Sequence, residues 1–159
     1  MRRLSGQIDI IVVGKLRTRH WKAAQEEYLK RLQRYTRVKL IEVKDAVGQG
    51  IPDAVAMQQE GDLLLKASEN ASRRLALTPT GTQFDSLAFA GFLQKQVVTY
   101  GHLAFLIGGP LGFAPEVLAA CHGEVALSTL TFTHELARVI LLEQLYRAAT
   151  IVGGEKYHK

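Results

Sequence analysis

The stretch Leu103-Ala-Phe-Leu-Ile-Gly-Gly-Pro-Leu-Gly-Phe113 decides how this chain folds. Its leading apolar residues are typical of a buried strand, and the glycines and proline that follow predict a turn at the carboxyl end of that strand. A second apolar run enters a loop of small hydroxyl residues in Leu127-Ser-Thr-Leu-Thr-Phe-Thr-His134. Because small residues leave backbone N–H and C=O groups accessible, the two loops together favour a site for an adenosine-type ligand.

Strands and helices alternate along the rest of the chain, whose 159 residues suffice for one domain with its own core. Apolar runs predict strands at 8–13, 38–43, 73–77, 103–107 and 125–127. Apolar residues spaced by threes and fours predict helices at about 20–35, 53–68, 86–100, 115–121 and 134–152. Pro79-Thr-Gly81 is predicted to form a loop. The alternation predicts an α/β fold with a mostly parallel sheet flanked by helices.

Positive charge is concentrated in the first 44 residues. They contain twelve Lys and Arg against four Asp and Glu, whereas the remainder contains eight against eleven. Nucleic acid is the partner that this asymmetry favours, because Lys and Arg displace counterions from phosphates. Lys30 and Arg34 are four residues apart and share one face of a predicted helix. The alternative is a solvated helix face that Glu26 and Glu27 partly compensate.

The sequence also bounds the compartment. Cys121 is the only cysteine, so no intrachain disulfide forms, which fits a reducing environment. The basic start of the chain is followed by a short apolar run that contains Asp9, unlike a signal peptide. No apolar stretch approaches the length of a membrane-spanning helix. The sequence therefore predicts a cytoplasmic protein without a membrane partner.

The glycine turn at 108–112 matches neither common nucleotide-binding pattern. No Gly-Lys-Ser/Thr follows it, as a phosphate loop requires, and its glycines do not have the G-x-G-x-x-G spacing of dinucleotide-binding proteins. The turn is therefore either a ligand site or a plain strand-to-helix connection. In the second loop, Thr131 or Thr133 is also a candidate cap of the last helix. The histidines lack the spacing of zinc ligands, and no metal is predicted.

The end of the chain carries further candidates. The last helix has a broader apolar surface than one sheet face needs, which indicates a dimer interface. Arg138 and Arg147 on this helix are candidates for phosphate binding, with surface cations near a helix end as the alternative. Tyr157 and His158 are candidates for stacking on an unpaired base or contacting RNA, although most chain termini have no such role.

Several motifs in a fixed order resemble a known family. They are Ile11-Val-Val-Gly-Lys15, Glu27-Tyr28, Glu60-Gly61, Leu106-Ile-Gly-Gly-Pro-Leu-Gly112, Leu127-Ser-Thr-Leu-Thr131, His134-Glu-Leu-Ala-Arg-Val139, Glu143-Gln-Leu-Tyr-Arg-Ala148 and Tyr157-His158. From about Ile8 to His158 the chain is similar to the RlmH (YbeA-type) ribosomal RNA methyltransferases of the SPOUT superfamily. The resemblance implies an α/β knot, a single domain over 8–159 whose part from about 103 threads as a C-terminal trefoil. Residues 1–7 then form a basic extension.

The resemblance also implies an activity. The expected reaction is methyl transfer from S-adenosylmethionine to N3 of a pseudouridine in helix 69 of 23S ribosomal RNA, by a homodimer whose partner completes each site. The implied cofactor-binding residues are Leu77, Thr78, Gly108, Gly109, Ser128, Thr129, Leu130, Thr131, Phe132 and Thr133. Candidate catalytic residues, for positioning or RNA contact, are Arg147, Tyr157 and His158. Candidate RNA-binding residues are Arg31, Arg34, Arg138 and Lys156.

Two positions depart from the family pattern. The family commonly has Leu-Asp where this chain has Leu77-Thr78, and Pro where it has Thr133. One alternative is therefore a non-catalytic RNA-binding module of the same fold, which would bind ribosomes without S-adenosylmethionine. The other is a small-molecule or nucleotide-binding α/β protein with a solvated basic surface, whose ligand binding would be indifferent to RNA.

Overall fold

The computed structural model describes residues 4–159 and contains a parallel sheet of five strands. The strands are β1 (Gln7–Val13), β2 (Arg37–Val43), β3 (Arg73–Gln83), β4 (His102–Ile107) and β5 (Gly123–Ala126). Their spatial order is β2-β1-β4-β3-β5, and each pairing is parallel. All carboxyl ends therefore lie at one edge of the sheet, where open parallel sheets bind their ligands.

Helices cover both faces of the sheet, which confirms the predicted fold class. They are α1 (Arg19–Leu32), α2 (Asp53–Ala67), α3 (Ser86–Tyr100), α4 (Pro115–Ala119) and α5 (His134–Gly153). Side chains of β1 alternate between two apolar cores. Ile8, Ile10 and Val12 share one core with residues of α1, α3 and α5. Ile11 and Val13 share the other with residues of α2 and α4.

The predicted element boundaries agree with the structure to within a few residues, except at Pro79-Thr-Gly81. The loop prediction for these residues was wrong, because they belong to β3. The pairing of β3 with β5 shifts between Leu77 and Thr82, which both pair with Val125. Residues 78–81 bulge between these two pairings, and the strand then continues to its end. Proline and glycine mark a bulge as readily as a loop, so the local pattern misled.

The folded domain begins before residue 8, the boundary expected from the sequence. Leu4 is buried in the larger core, and Gln7 already belongs to β1. The carbonyl of Gly6 accepts hydrogen bonds from the Arg37 N–H and the Thr36 hydroxyl. Residues 4–7 are therefore part of the domain rather than of an extension. Residues 1–3 of the expected extension lie outside the described residues.

The apolar surface of α5 is used inside the chain. Leu141, Leu142 and Leu145 are fully buried in the larger core, where α5 packs against α1 and α3. The strongly exposed large apolar side chains of residues 4–159 lie elsewhere, on α2, α3 and the loops. The breadth of this apolar surface therefore gives no argument for a dimer, contrary to the sequence-based inference. The helix needs three apolar sides because two helices and the sheet contact it.

Arg138 is the largest fully buried side chain and does not form an RNA-accessible surface. Its guanidinium donates to Glu42 Oε2 at 2.7 Å and to the Gly14 carbonyl at 3.0 Å, and it lies 3.4 Å from Gln25 Oε1. The prediction that Arg138 contacts RNA is therefore wrong for this conformation. Arg138 instead connects α5 to the ends of β1 and β2. Helical spacing alone could not show that this cation points inward.

No helix within residues 4–159 has the length and apolar character needed to cross a membrane.

Replacing Gly81 tests the close approach of the β3 bulge to β5. A Cβ atom at Gly81 would lie 2.7 Å from backbone atoms of Glu124 and Val125, which cannot move aside as a flexible side chain can. We expect Gly81→Ala to lower the free energy of unfolding by about 1–3 kcal/mol in urea denaturation. The control is Gly91→Ala, because a Cβ atom added at Gly91 in α3 would meet no heavy atom within 4 Å beyond its chain neighbours and the adjacent backbone of its own helix. Alanine there should stabilise by about 0.5–1 kcal/mol, and equal effects of the two changes would refute the close contact.

Replacing Arg138 tests the buried connection. We expect Arg138→Met to cost about 3 kcal/mol, because the Gly14 carbonyl loses its side-chain donor and the Glu42 carboxylate keeps only the Leu16 N–H. Arg34→Met is the matched control, since Arg34 is exposed, and its effect should stay within about 0.5 kcal/mol. Unchanged urea midpoints for both variants would contradict a structural role for Arg138.

Candidate active site

A cleft of about 1120 Å³ opens at the carboxyl edge of the sheet. Its walls come from the ends of β3, β4 and β5, the start of α1 and the start of α5. Of the ten sequence-predicted cofactor residues, Thr129 does not line the cleft and the other nine do: Leu77, Thr78, Gly108, Gly109, Ser128, Leu130, Thr131, Phe132 and Thr133. Segments 50 residues apart in sequence thus contribute to one concave site of the size that binds small molecules.

The glycine turn after β4 presents its backbone to the cleft. The turn closes with a hydrogen bond from the Gly112 N–H to the Gly109 carbonyl at 3.0 Å. A Cβ atom on Gly109 would lie 2.9 Å from Glu60 Oε1 and 3.3 Å from Val13 Cγ1, so this position has no room for a side chain. Only glycine lets the turn pack against α2 and leave its peptide groups open to a ligand.

Glu60 supports this turn and was given no role from the sequence. Its side chain is buried, and its Oε2 atom accepts hydrogen bonds from the Ala46 N–H at 2.8 Å and the Val47 N–H at 3.1 Å. A buried carboxylate requires such donors to offset its lost hydration. Glu60 therefore joins the loop after β2 to the glycine turn. The sequence signals were the Glu60-Gly61 motif of the family resemblance, which implied no role for the side chain, and an acidic residue at an otherwise apolar position of a predicted helix.

The loop at 127–133 offers unpaired backbone groups. The Ser128 hydroxyl accepts from the Leu130 N–H at 3.1 Å, and the Thr133 hydroxyl accepts from the Leu136 N–H as the cap of α5. Within the described part of the chain, the N–H groups of Thr131 and Phe132 have no protein acceptor. Backbone donors at a cleft surface require water or a ligand as partner. This loop therefore has the hydrogen-bonding capacity expected of a ligand site.

A second unforeseen residue, Glu124, lies beside Thr78. The Thr78 hydroxyl donates to Glu124 Oε1 at 2.9 Å, and both residues line the cleft. This chain thus has a carboxylate near Thr78, although β5 rather than β3 supplies it. The parallel pairing of β3 with β5 brings these residues together from positions 46 apart. A single sequence without known strand register gave no signal for this pair.

Thr18, the residue before α1, and Trp21 in the first turn of α1 also line the cleft. Glu135, in the first turn of α5, accepts hydrogen bonds from the Thr18 hydroxyl and from the Arg17 N–H at 2.8 Å. The Thr18 hydroxyl, followed by the Arg17 N–H, lowers the pKa of the Glu135 carboxyl below its ordinary value. Glu135 therefore stays ionised at neutral pH and holds the two helix starts together.

The three candidate catalytic residues gather around Glu143. The Glu143 carboxylate accepts from the Arg147 guanidinium and, at 3.1 Å, from the Tyr157 hydroxyl. Arg147 also lies over the Tyr157 ring at 4.7 Å and 3.3 Å from His158 Nδ1. Burial, followed by the hydrogen bond to Glu143, raises the pKa of Tyr157 to about 12. The hydrogen bond to Glu143 is also the main cause that raises the pKa of Arg147.

This tail cluster of Glu143, Arg147, Tyr157 and His158 does not meet the cleft of its own chain. His134 at the start of α5 lines the cleft, whereas Arg147 lies thirteen residues further along the helix. At the helical rise per residue, these positions are about 20 Å apart. The fold therefore places the two parts of the expected site at opposite ends of α5.

The remaining RNA candidates lie at the tail end of the molecule. Arg31 pairs with Glu27 and lies over the rings of Tyr28 and Tyr146. Arg34 and Lys156 are exposed. The Tyr146 ring also contacts the ring of Tyr157 edge-on. Arg31 is thus near the tail cluster, while the buried Arg138 is not part of this surface.

No group of three or more His, Cys, Asp or Glu side chains in residues 4–159 is arranged to hold a metal ion.

Comparison with known proteins identifies the family. Residues 7–158 match the family model described as "Predicted SPOUT methyltransferase". Proteins called "Ribosomal RNA large subunit methyltransferase H" are 39% identical in Clostridium tetani (strain Massachusetts / E88) and 40% identical in Symbiobacterium thermophilum (strain DSM 24528 / JCM 14929 / IAM 14863 / T), each over 96% of this chain and 99% of the relative. The fold resembles the crystal structure of a probable methyltransferase from Bordetella pertussis Tohama I, with a TM-score of 0.59 and 14% identity over 92% of this chain and 96% of that one. The fold, the cleft and the matched sequence together establish that this chain belongs to the SPOUT methyltransferase family.

Proposed function

We propose that this chain methylates large-subunit ribosomal RNA, with S-adenosylmethionine as the methyl donor. The observation that carries the proposal is the cleft, in which the glycine turn, the hydroxyl loop and the end of β3 meet. Its full-length relatives bear the name of a ribosomal RNA methyltransferase, which supports the substrate class. The resemblance further specifies N3 of a pseudouridine in helix 69 of 23S RNA as the target, a trefoil knot in the C-terminal part, and a cytoplasmic location.

The residues of the cleft fit S-adenosylmethionine. The cofactor has an adenosine part that apolar and backbone groups can bind, and the cleft has Leu77, Phe113, Leu127 and Leu130 beside the exposed backbone of both loops. The Thr131 and Phe132 N–H groups are free to donate, and the Glu124 carboxylate can accept from a hydroxyl. When bound, the cofactor supplies an electrophilic methyl group on a sulfonium.

The chain's own contribution is alignment and exclusion of water. In the proposed reaction, a bond forms between N3 and the methyl carbon as the sulfur–carbon bond breaks. The electron pair of the broken bond stays on the departing sulfur, and the N3 proton passes to solvent. Holding reactants in line supplies a large part of such a rate enhancement. An Arg side chain only donates, so the contact of Arg147 with His158 Nδ1 leaves the ring proton of neutral His158 on Nε2. His158 is then suited to donate to a base carbonyl, rather than to accept the proton.

The geometry favours a site that two chains share. The tail cluster lies about 20 Å from the cleft along α5. A tail fixed to α5 by Tyr157, Glu143 and Arg147 does not reach the cofactor loops of its own chain. In a two-fold dimer, each tail can instead meet the cleft of the partner. The distance between the tail cluster and the cleft, rather than the apolar surface of α5, therefore supports a homodimer.

Methyl transfer tests the activity. Ribosomes that lack the modification should gain one labelled methyl group from S-adenosylmethionine at the helix 69 pseudouridine, as mapped by mass spectrometry. Gly109→Asp should reduce transfer at least a hundredfold, because the added carboxylate would lie against Glu60. Gly91→Asp is the matched control at an open position of α3 and should retain activity. Ribosome binding without cofactor binding or transfer would instead support the non-catalytic RNA-binding module.

Mixing two inactive variants tests the shared site. Gly109→Asp removes the cleft of one chain, and Arg147→Ala combined with Tyr157→Ala removes the tail cluster of the other. Refolding the two variants together at equal amounts should restore about a quarter of wild-type activity, since half of the dimers are mixed and each has one intact composite site. If mixed dimers are shown to form but activity is not restored, each chain must use its own tail.

A further inference from the structure

Segment 15–22, here called the rim because it contributes Thr18 and Trp21 to the cleft, is positively charged and contains none of the candidate RNA-binding residues. Lys15, Arg17, Arg19 and Lys22 are exposed, and none has an ion-pair partner within the described residues. They lie in the loop before α1 and in its first turn, beside the cleft-lining Thr18 and Trp21. Segment 15–22 contains no acidic residue. Four exposed cations without an ion-pair partner among the described residues therefore adjoin two residues that line the cleft.

The rim differs from the arginines that the sequence singled out. Arg31 is paired with Glu27, Arg147 with Glu143 and Arg138 with Glu42. Cations that already have a carboxylate partner gain less from a phosphate, because the existing pair must be broken or shared. The free cations of segment 15–22 have no such cost. By this measure the rim is better suited to contact phosphates than Arg31 is.

An aromatic side chain lies among these cations. Trp21 is the only tryptophan of the chain, is partly buried, and lines the cleft. The ring of His20 packs against it edge-on at 4.7 Å. A cationic groove with an aromatic platform is the combination by which proteins bind unpaired nucleotides, since the base stacks while the phosphates meet Lys and Arg.

The rim is held in a fixed position relative to the cleft. Glu135 in α5 accepts from the Arg17 N–H, the Thr18 N–H and the Thr18 hydroxyl. Leu16 N–H donates to Glu42, the same carboxylate that Arg138 contacts. These bonds use the backbone of the segment and leave its charged side chains free. Segment 15–22 is therefore an ordered surface rather than a loose basic loop.

We propose that residues 15–22 form an RNA-docking surface at the mouth of the cleft, with Trp21 stacking on an unpaired base and Arg17, Arg19 and Lys22 contacting the phosphates around it. This inference rests on the proposed function, in that it names the protein surface that receives the RNA substrate. The cofactor does not account for four cations, because it has a single carboxylate against an ammonium and a sulfonium group and therefore carries a net positive charge. An unpaired loop, rather than duplex RNA, is the occupant, since only an unstacked base exposes a face to Trp21.

The single tryptophan allows a direct test. An RNA hairpin with unpaired pseudouridines in its loop should quench the fluorescence of Trp21 on titration into the full-length protein, whereas a duplex of equal length should not. Trp21→Leu should weaken hairpin binding about tenfold, and Trp21→Phe should retain most of the affinity. An unchanged emission on saturating hairpin binding would overturn the stacking role. Two other outcomes would also overturn the stacking role. In one, S-adenosylhomocysteine alone quenches the fluorescence and the hairpin then adds no further change. In the other, a raised protein concentration without RNA does the same.

The cations are tested by the salt dependence of hairpin binding. Replacing Arg17, Arg19 and Lys22 together by Gln should lower the slope of log K against log salt by about 2, from roughly 0.7 per lost phosphate contact. The control replaces three exposed lysines on other elements, Lys39, Lys66 and Lys95, and should leave the slope unchanged. Equal effects of the two triple variants would overturn the rim as a specific surface.

Failure of this inference and failure of the proposed function are distinguishable. Hairpin binding and Trp21 fluorescence are measured without the methyl donor, and methyl transfer to ribosomes by the wild type is measured separately. Transfer that persists undiminished in the triple rim variant would refute the docking surface and leave the activity intact. Absence of transfer by the wild type, with rim-dependent hairpin binding retained, would refute the methyltransferase proposal alone.

Discussion

Parallel pairing of all five strands is the constraint on which the site depends. It brings the glycine turn after β4 beside the bulge of β3 and the exit from β5, because carboxyl ends of parallel strands share one edge. The same constraint returns the chain through a helix after each strand, so α5 starts at the cleft and ends at the opposite edge. Both the existence of the cleft and its distance from the tail cluster thus follow from strand direction.

Loops that leave a cleft open cannot be fixed by apolar packing on both sides, and here charged side chains fix them through backbone groups. Glu60 binds the N–H groups of Ala46 and Val47 behind the glycine turn, and Glu135 binds those of Arg17 and Thr18. Arg138 binds the Gly14 carbonyl from the interior. Each of these three side chains supplies the hydrogen-bond partners that backbone groups of the adjacent loop lack. These bonds offset the free-energy cost of burying the side chain and ordering the loop.

The sequence predicted what local pattern encodes. The helices and strands follow from periodicity, and the two loops with accessible backbone follow from runs of small residues. The individual cofactor-binding residues rest on the family resemblance and stay predictions. The failures share one cause, which is a partner distant in sequence. Arg138 meets Glu42 from 96 positions away, and Thr78 meets Glu124 from 46 positions away. The bulge at Pro79-Thr-Gly81 depends on β5 in the same way, and the apolar surface of α5 has its partners in α1 and α3. Without strand register, one chain gives no means of pairing these segments.

The chemistry of the tail cluster limits the mechanism that can be proposed for it. Tyr157 donates to Glu143 and has a pKa raised to about 12, so it remains a neutral donor at neutral pH. Arg147 is a cation by nature, and its contact with His158 directs the proton of that ring to Nε2. The cluster therefore supplies hydrogen-bond donors and an aromatic face, and no strong proton acceptor. Such groups can hold a nucleobase and its carbonyl oxygens in place, which is the task of an enzyme whose methyl donor is already electrophilic. Under the proposed function, the N3 proton of the pseudouridine is acidic enough to leave without a strong proton acceptor, which this arrangement suits.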